Sequence, residues 1–187
     1  LGAAVSLTGK YSSNGVHTQN GYNMAVDRIN SMGGVKVGGK TYKFEIIYYD
    51  DESNPKRAAQ LAERLISQDG VEFMLGPYSS GLTKAMAPVT EKYGVPMVEA
   101  NGASRSLFTK GYKYLFAVLA PANLYLDVAI RTAVELNGGK GVNIAMAFEQ
   151  DAFSQDVRLG IVDAAEDTGS KIVIDDKLPK ELNDMAA

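Results

Sequence analysis

Short apolar segments alternate with amphipathic helical segments almost without a break, and this alternation restricts the fold more than any motif does. Gly2–Leu7 is apolar and of strand length. Val16–Met32 places Tyr22, Ala25, Val26, Ile29 and Met32 at helical spacing and stops at Gly33-Gly34. Thr41–Tyr49 is rich in β-branched and aromatic residues, which predicts a strand. Asn54-Pro55 predicts a helix start, with Ala58, Leu61, Ala62 and Leu65 as its buried stripe and Gly70 as its end. Val71–Leu75 then predicts a strand. The helix opening at Ser80 should bury Leu82, Ala85, Met86 and Val89, with Pro88 kinking or interrupting it. Strands at Val95–Val98 and Tyr114–Val118 follow. Such βαβ order with short connections predicts an α/β fold, a doubly wound parallel sheet covered on both faces.

The first lobe closes near Tyr114–Leu119, which gives an N-terminal α/β lobe over 1–119, with Ala120-Pro121 as a crossing point. Residues 120–187 begin a C-terminal lobe: a helix over Asn123–Leu136, strand Val142–Phe148, helix Phe153–Thr168 and strand Lys171–Ile174. Met185-Ala186-Ala187 should enter a further helix. A two-stranded sheet is too small to bury its faces, so the expectation is a partial second lobe from a longer two-lobe protein. Taken alone, such a chain should self-associate or fray over 140–187. Leu1 is not an initiator methionine, and a cleaved signal peptide would fit.

Several function classes fall away early. The 187 residues are 45% hydrophobic and 22% charged with net charge −3, an ordinary globular composition with no basic footprint for nucleic acid. Cysteine is absent, so thiolate metal sites and disulfides are excluded. Gly34–Thr41, GVKVGGKT, matches the phosphate-loop spelling. That loop works only between a strand and a following helix, and here a helix precedes and a strand follows. A glycine-rich turn is the better reading. His17 is the only histidine and has no acidic neighbour at helical spacing. The serines lack the G-x-S-x-G elbow. Asp50, Asp51 and Glu52 precede a helix start, where acidic residues form turns and meet the helix dipole. Asp151 and Asp156 either face a cleft or cap their helix. No metal, cofactor or catalytic residue is expected, and the chain is read as a binder rather than an enzyme.

Residues 76–108, GPYSSGLTKAMAPVTEKYGVPMVEANGASRSLF, carry the most specific signal. Ser79 and Ser80 open a helix after one strand, and Asn101, Gly102 and Ser104 follow the next. Two hydroxyl-bearing loops thus lie at the C-terminal ends of neighbouring strands, where open α/β sheets bind ligands. A helix N-terminus offers free N–H groups and partial positive charge, which suits a small carboxylate. Serine is also a preferred helix cap whatever the function. Tyr11 and Tyr78 are candidates to line the cleft, whereas Tyr93 is expected in the core.

The segments SLTGKYSSNG at 6–15, GYNMAVDRINSMGG at 21–34, YYDDESNPKRAAQLAERLI at 48–66, GPYSS at 76–80, EKYGVPMVEANGAS at 91–104 and AFEQDAFSQD at 147–156 occur in an order that resembles the type I periplasmic binding proteins, in particular the branched-chain amino-acid-binding group. The resemblance implies two α/β lobes that trap a small ligand and deliver it to the membrane permease subunits of an ABC importer, with a periplasmic or membrane-tethered location. It implies that Ser80, with Ser79 beside it, grips a ligand carboxylate, and that Gly102 and Ser104 add a backbone group and a hydroxyl. Asn14 stands where the group often has an aromatic residue. Phe153-Ser154 stands where it usually has Tyr-Gly, leaving an aromatic lid without its hydroxyl. The acidic residue for a ligand amine falls beyond Ala187, so both amino acids and carboxylates lacking an amine stay open as ligands. The same fold serves as the ligand-sensing domain of receptors and regulators, which is the alternative function.

Overall fold

A computed structural model describes residues 1–179. The expected helix at Met185–Ala187 lies outside the described residues. The chain divides into two compact units, one made of Leu1–Gly102 and Gly111–Val118, the other of Ala103–Lys110 and the chain from Leu119 onward.

In the first unit, β1 (Gly2–Val5), β4 (Ile47–Asp50), β5 (Met74–Leu75), β6 (Met97–Glu99) and β7 (Leu115–Ala117) form one parallel sheet in the order β4-β1-β5-β6-β7. The order reverses at β1. The chain steps outward from β1 to β4 through helix α1 (Ser12–Ser31), then back across β1 to β5 through α2 (Pro55–Ser67). It continues to β6 through α3 (Ser80–Tyr93). Right-handed crossovers in opposite directions put α1 on one face and α2 and α3 on the other.

Local chemistry explains these elements. Asn54 caps α2 by accepting from the N–H groups of Lys56 and Arg57, and Pro55 fills the first turn, where no donor is needed. The stripe Ala58, Leu61, Ala62 and Leu65 is buried as spaced. It meets a core of Ala3, Ala4, Val5, Met74, Leu82, Met86 and Met97. Helix α1 is less enclosed: Met24 and Met32 are exposed, and only Gly15 and Thr18 are buried. Pro88 is exposed and does not interrupt α3. In that helix Thr83, Ala87 and Thr90 are buried in place of the expected Ala85 and Val89, which are half-buried. Tyr93 is not a core residue. Its hydroxyl donates to exposed Glu63 at 2.8 Å, beside a Lys92–Glu63 ion pair.

GVKVGGKT forms a β-hairpin. Strands β2 (Val35–Val37) and β3 (Lys40–Tyr42) pair antiparallel around Gly38-Gly39, both at positive φ as a two-residue hairpin turn requires. The expected single strand over Thr41–Tyr49 is therefore split. Residues up to Tyr42 pair in the hairpin, while those from Ile47 pair with β1.

The second unit holds α4 (Asp127–Leu136), β8 (Asn143–Glu149), α5 (Ala152–Thr168) and β9 (Lys171–Leu178), with short 3-10 turns at Arg105–Leu107 and Ala122–Leu124. Strands β8 and β9 pair parallel. Ile130, Met146, Ile161 and Ala164 form the core, flanked by Ile144, Val157, Val162 and Ile172. Segment 103–110 joins this unit because Ala122 N–H donates to the Ala103 carbonyl at 2.8 Å and Ser104 donates to Asp156.

Candidate ligand-binding site

The crevice of a doubly wound sheet opens where strand order reverses, outside the C-terminal ends of β1 and its neighbours. The acidic run at 50–52 builds the loop after β1. Ser6 Oγ donates to Asp51 Oδ1 at 2.6 Å, and Leu7 N–H and Thr8 Oγ1 donate to Asp50 at 2.9 and 2.7 Å. Ser53 Oγ donates to the Thr8 carbonyl and accepts from Tyr11 N–H. Desolvation alone would raise the Asp50 pKa. Hydrogen bonds from Glu52, Thr8 and Leu7 outweigh it and hold the carboxyl below its ordinary value. Asp51 is fully buried, and desolvation pushes its pKa up.

The loop after β5 ends in Pro77-Tyr78-Ser79. Ser79 is the N-cap of α3, its Oγ accepting from Leu82 N–H at 3.3 Å, and its backbone sits at φ 84°, ψ 144°. That conformation is costly for any residue with a Cβ, and such strain collects at functional sites. Ser80 begins the helix and is buried. Tyr78 packs against Tyr11 with ring centroids 5.5 Å apart, so the loops after β1 and β5 meet through two aromatic rings. Beside them lies a cleft of about 460 Å³ lined by Asn14, His17, Thr18, Tyr22, Tyr78 and Asn101 among others. Asn14 and Asn101 therefore face one cleft. Ser79 forms the head of the helix beside Tyr78, while Ser80 and Gly102 are buried.

Glu99, at the end of β6, was not among the sequence candidates. It is fully buried. Its Oε1 accepts the N–H groups of Asn101 and Gly102, and its Oε2 lies 2.7 Å from Thr83 Oγ1 on α3. Desolvation pushes its pKa up to about 7 against the pull of these hydrogen bonds. Room for it depends on two glycines. A Cβ at Gly76 would lie 2.0 Å from Glu99 Oε2, and one at Gly102 would lie 2.5 Å from Thr83 Oγ1. Tyr22 Oη donates to the Gly76 carbonyl at 2.7 Å. Burial, with the negative potential of Glu99 added, holds the Tyr22 phenol well above its ordinary pKa, so it stays a neutral donor. The available signal was a single charged letter closing an apolar strand, two residues before Asn101-Gly102.

In the second unit, Ser104 Oγ donates to Asp156 Oδ2 at 2.6 Å, which also accepts from Ser106 N–H at 3.2 Å. Asp156 thus binds a loop, whereas Asp151 caps α5, accepting from Ser154 N–H at 2.9 Å. Phe153 is half-buried and meets Tyr125 edge-on, centroids 5.6 Å apart. It lines an apolar cavity of about 690 Å³ with Leu126, Met146 and Ile161 among others.

Comparison with known proteins agrees with this architecture. The family model described as periplasmic binding protein matches residues 1–187. The leucine-, isoleucine-, valine-, threonine- and alanine-binding protein of Pseudomonas aeruginosa is 26% identical over 174 residues, covering 93% of this chain and 45% of its own length. A branched-chain amino acid transporter substrate-binding protein from Streptococcus pneumoniae, solved with isoleucine, is 26% identical with a TM-score of 0.82, covering 98% of this chain and 50% of that one. A solute-binding protein of an ABC transporter from R. palustris, solved with 4-hydroxybenzoate, is 26% identical with a TM-score of 0.80, covering 98% and 47%. The chain spans about half the length of these relatives. With its whole length matched by one family model and its doubly wound first unit in place, the chain belongs to the periplasmic binding protein family.

Proposed function

We propose that this chain is the ligand-gripping part of an extracytoplasmic solute-binding protein, a binder rather than an enzyme, which hands a small carboxylate to the permease of an ABC importer. The observation that carries this reading is the cleft lined by Asn14, His17, Thr18 and Asn101 at the strand-order reversal, with strained Ser79 heading α3 next to it. A carboxylate there would gain the partial positive charge of the helix N-terminus and charge-assisted hydrogen bonds. Ser79 and Ser80 are assigned to its carboxylate, Asn101 and Asn14 to its polar remainder, and Gly102 to shaping the loop.

The relatives' ligands support a carboxylate over any single side chain. The S. pneumoniae protein was solved with isoleucine and the R. palustris protein with 4-hydroxybenzoate, two molecules that share little except a carboxylate. A thermal-shift screen of the intact protein against amino acids, hydroxybenzoates and keto acids tests the reading. A ligand at a hundredfold excess over its Kd stabilises by about 2.7 kcal/mol, a clear rise in melting temperature. A protein that responds to sugars or to divalent cations and to no carboxylate would overturn it.

A further inference from the structure

The groups around Glu99 contain a hydrogen-bond count that only one protonation state satisfies fully. Thr83 Oγ1 lies 2.7 Å from Glu99 Oε2 and 2.9 Å from the Ser79 carbonyl. A threonine hydroxyl carries one hydrogen and can donate to only one of these oxygens at a time. With Glu99 ionised, that hydrogen goes to the carboxylate, and the Ser79 carbonyl keeps only the Thr83 N–H at 3.1 Å. With the proton on Oε2, Glu99 donates to Thr83 Oγ1, and Thr83 donates to the Ser79 carbonyl. Oε1 continues to accept from Asn101 and Gly102. Glu99, Thr83 and the Ser79 carbonyl then all have partners, and Glu99 buries no charge.

The surroundings favour that state. Helix α1 presents the neutral phenol of Tyr22, β5 ends in the backbone of Gly76, and α3 presents Thr83. His17, also on α1, lines the cleft with Asn101, and no histidine, lysine or arginine among the described residues forms an ion pair with Glu99.

We propose that Glu99, as the neutral acid, is a positioning residue that ties the 100–102 loop to the strained head of α3 through Thr83. While Glu99 is protonated, Thr83 donates to the Ser79 carbonyl; when Glu99 ionises, that hydrogen turns to the carboxylate and the bonds from Asn101 and Gly102 become charge-assisted, so both segments respond to one titration. That these segments face a ligand rests on the function proposed above; the linkage between them does not.

The test needs no ligand. The 15N-labelled intact protein is titrated across neutrality, alone and as Glu99→Gln. The Asn101, Gly102 and Thr83 amide resonances of the parent should shift together with one midpoint near pH 7. A glutamine can accept from both amides and donate to Thr83, so Glu99→Gln should hold those resonances at their low-pH positions throughout. Thermal melting gives an independent reading. Glu99 binds its proton more tightly folded than unfolded, so the parent should lose melting temperature as pH rises through that midpoint, and Glu99→Gln should not. Should Glu99→Gln fail to fold, the 13C carboxyl titration of Glu99 in the unaltered protein decides. A midpoint in the ordinary carboxyl range overturns the proposal. So do unlinked shifts of the three amides, or the same melting profile for parent and variant. A protein that bound no carboxylate would sink the proposed function and leave this result standing.

Discussion

Ser79 and Ser80 sit side by side at the head of α3, in different settings. Ser79 is the cap, held at φ 84° by the turn that brings Tyr78 against Tyr11. Replacing it with glycine removes a strain of about 1–3 kcal/mol and loses a few tenths of a kcal/mol of capping. Ser79→Gly should therefore be more stable by about 1 kcal/mol in urea titration. Ser79→Ala, which keeps the strained Cβ and loses the cap, should be less stable by about 1 kcal/mol. A glycine variant no more stable than the parent would show that the backbone there is relaxed. Ser80, buried at the first residue of the helix, is assigned with Ser79 to the carboxylate in the proposed function. Ser80→Ala should weaken binding of whichever carboxylate the screen identifies by roughly 1.5–3 kcal/mol, the range for a hydrogen bond to a charged group. Calorimetry reads this directly, and unchanged affinity beside a lowered melting temperature would leave Ser80 with a structural role only. Serine identity alone could not separate these roles, because serine favours both caps and anion contacts. The backbone angle and burial distinguish their settings.

Among the elements, α2 shows how far a local pattern reaches. Its cap, first-turn proline and four-residue stripe were all legible, because each depends on neighbours within a turn or two of sequence. Leu65→Ala should cost about 2–5 kcal/mol, since Leu65 is fully enclosed and the core closes only partly over the loss. Asn54→Ala should cost about 1 kcal/mol by orphaning the Lys56 and Arg57 N–H groups. Exposed Lys56→Ala should stay within about 0.5 kcal/mol. Equilibrium unfolding in urea checks all three, and a cheap Leu65→Ala would contradict the burial of that stripe. Strands were less legible. Val71–Leu75 has the composition of a strand, but pairing covers only Met74 and Leu75, because β1 offers Gly2 and Ala3 as their register partners. A strand begins where its neighbours do, here at Gly2 of β1 and Met97 of β6, and its own sequence does not record that.

For the molecule as a whole, titration behaviour follows from two carboxyl environments with opposite signs. Asp50 is held below its ordinary pKa, so its stabilising contribution exists above the unfolded value and is lost as pH falls. Glu99 is held above its ordinary pKa, up to about 7, so its contribution is complete in acid below the unfolded value and is lost as pH rises toward neutrality. Buried Asp51, also raised, acts in the same direction as Glu99. Melting temperature should therefore pass through a maximum on the acid side of neutrality. Asp50→Asn should flatten the acid limb and Glu99→Gln the neutral limb. A profile that rose steadily through neutrality in the parent would contradict the Glu99 assignment.

The sequence by itself determined the alternation of sheet strands with helices, the parallel α/β class, the capped and striped α2, and the hydroxyl-bearing loops after neighbouring strands. All of these are written in hydrophobic period and turn chemistry, which act over a few residues. It also excluded the phosphate loop, because the order of helix and strand around GVKVGGKT is itself local; the structure makes that segment a hairpin. Only the tertiary structure decided that Asp50 and Asp51 serve the loop after β1, that segment 103–110 packs with the second unit, and that Glu99 lies beneath the candidate site. Each depends on groups far apart in sequence meeting in space. The enclosure of Glu99 needs Gly76, Thr83, Asn101 and Gly102 together, and no periodicity in the chain encodes that meeting.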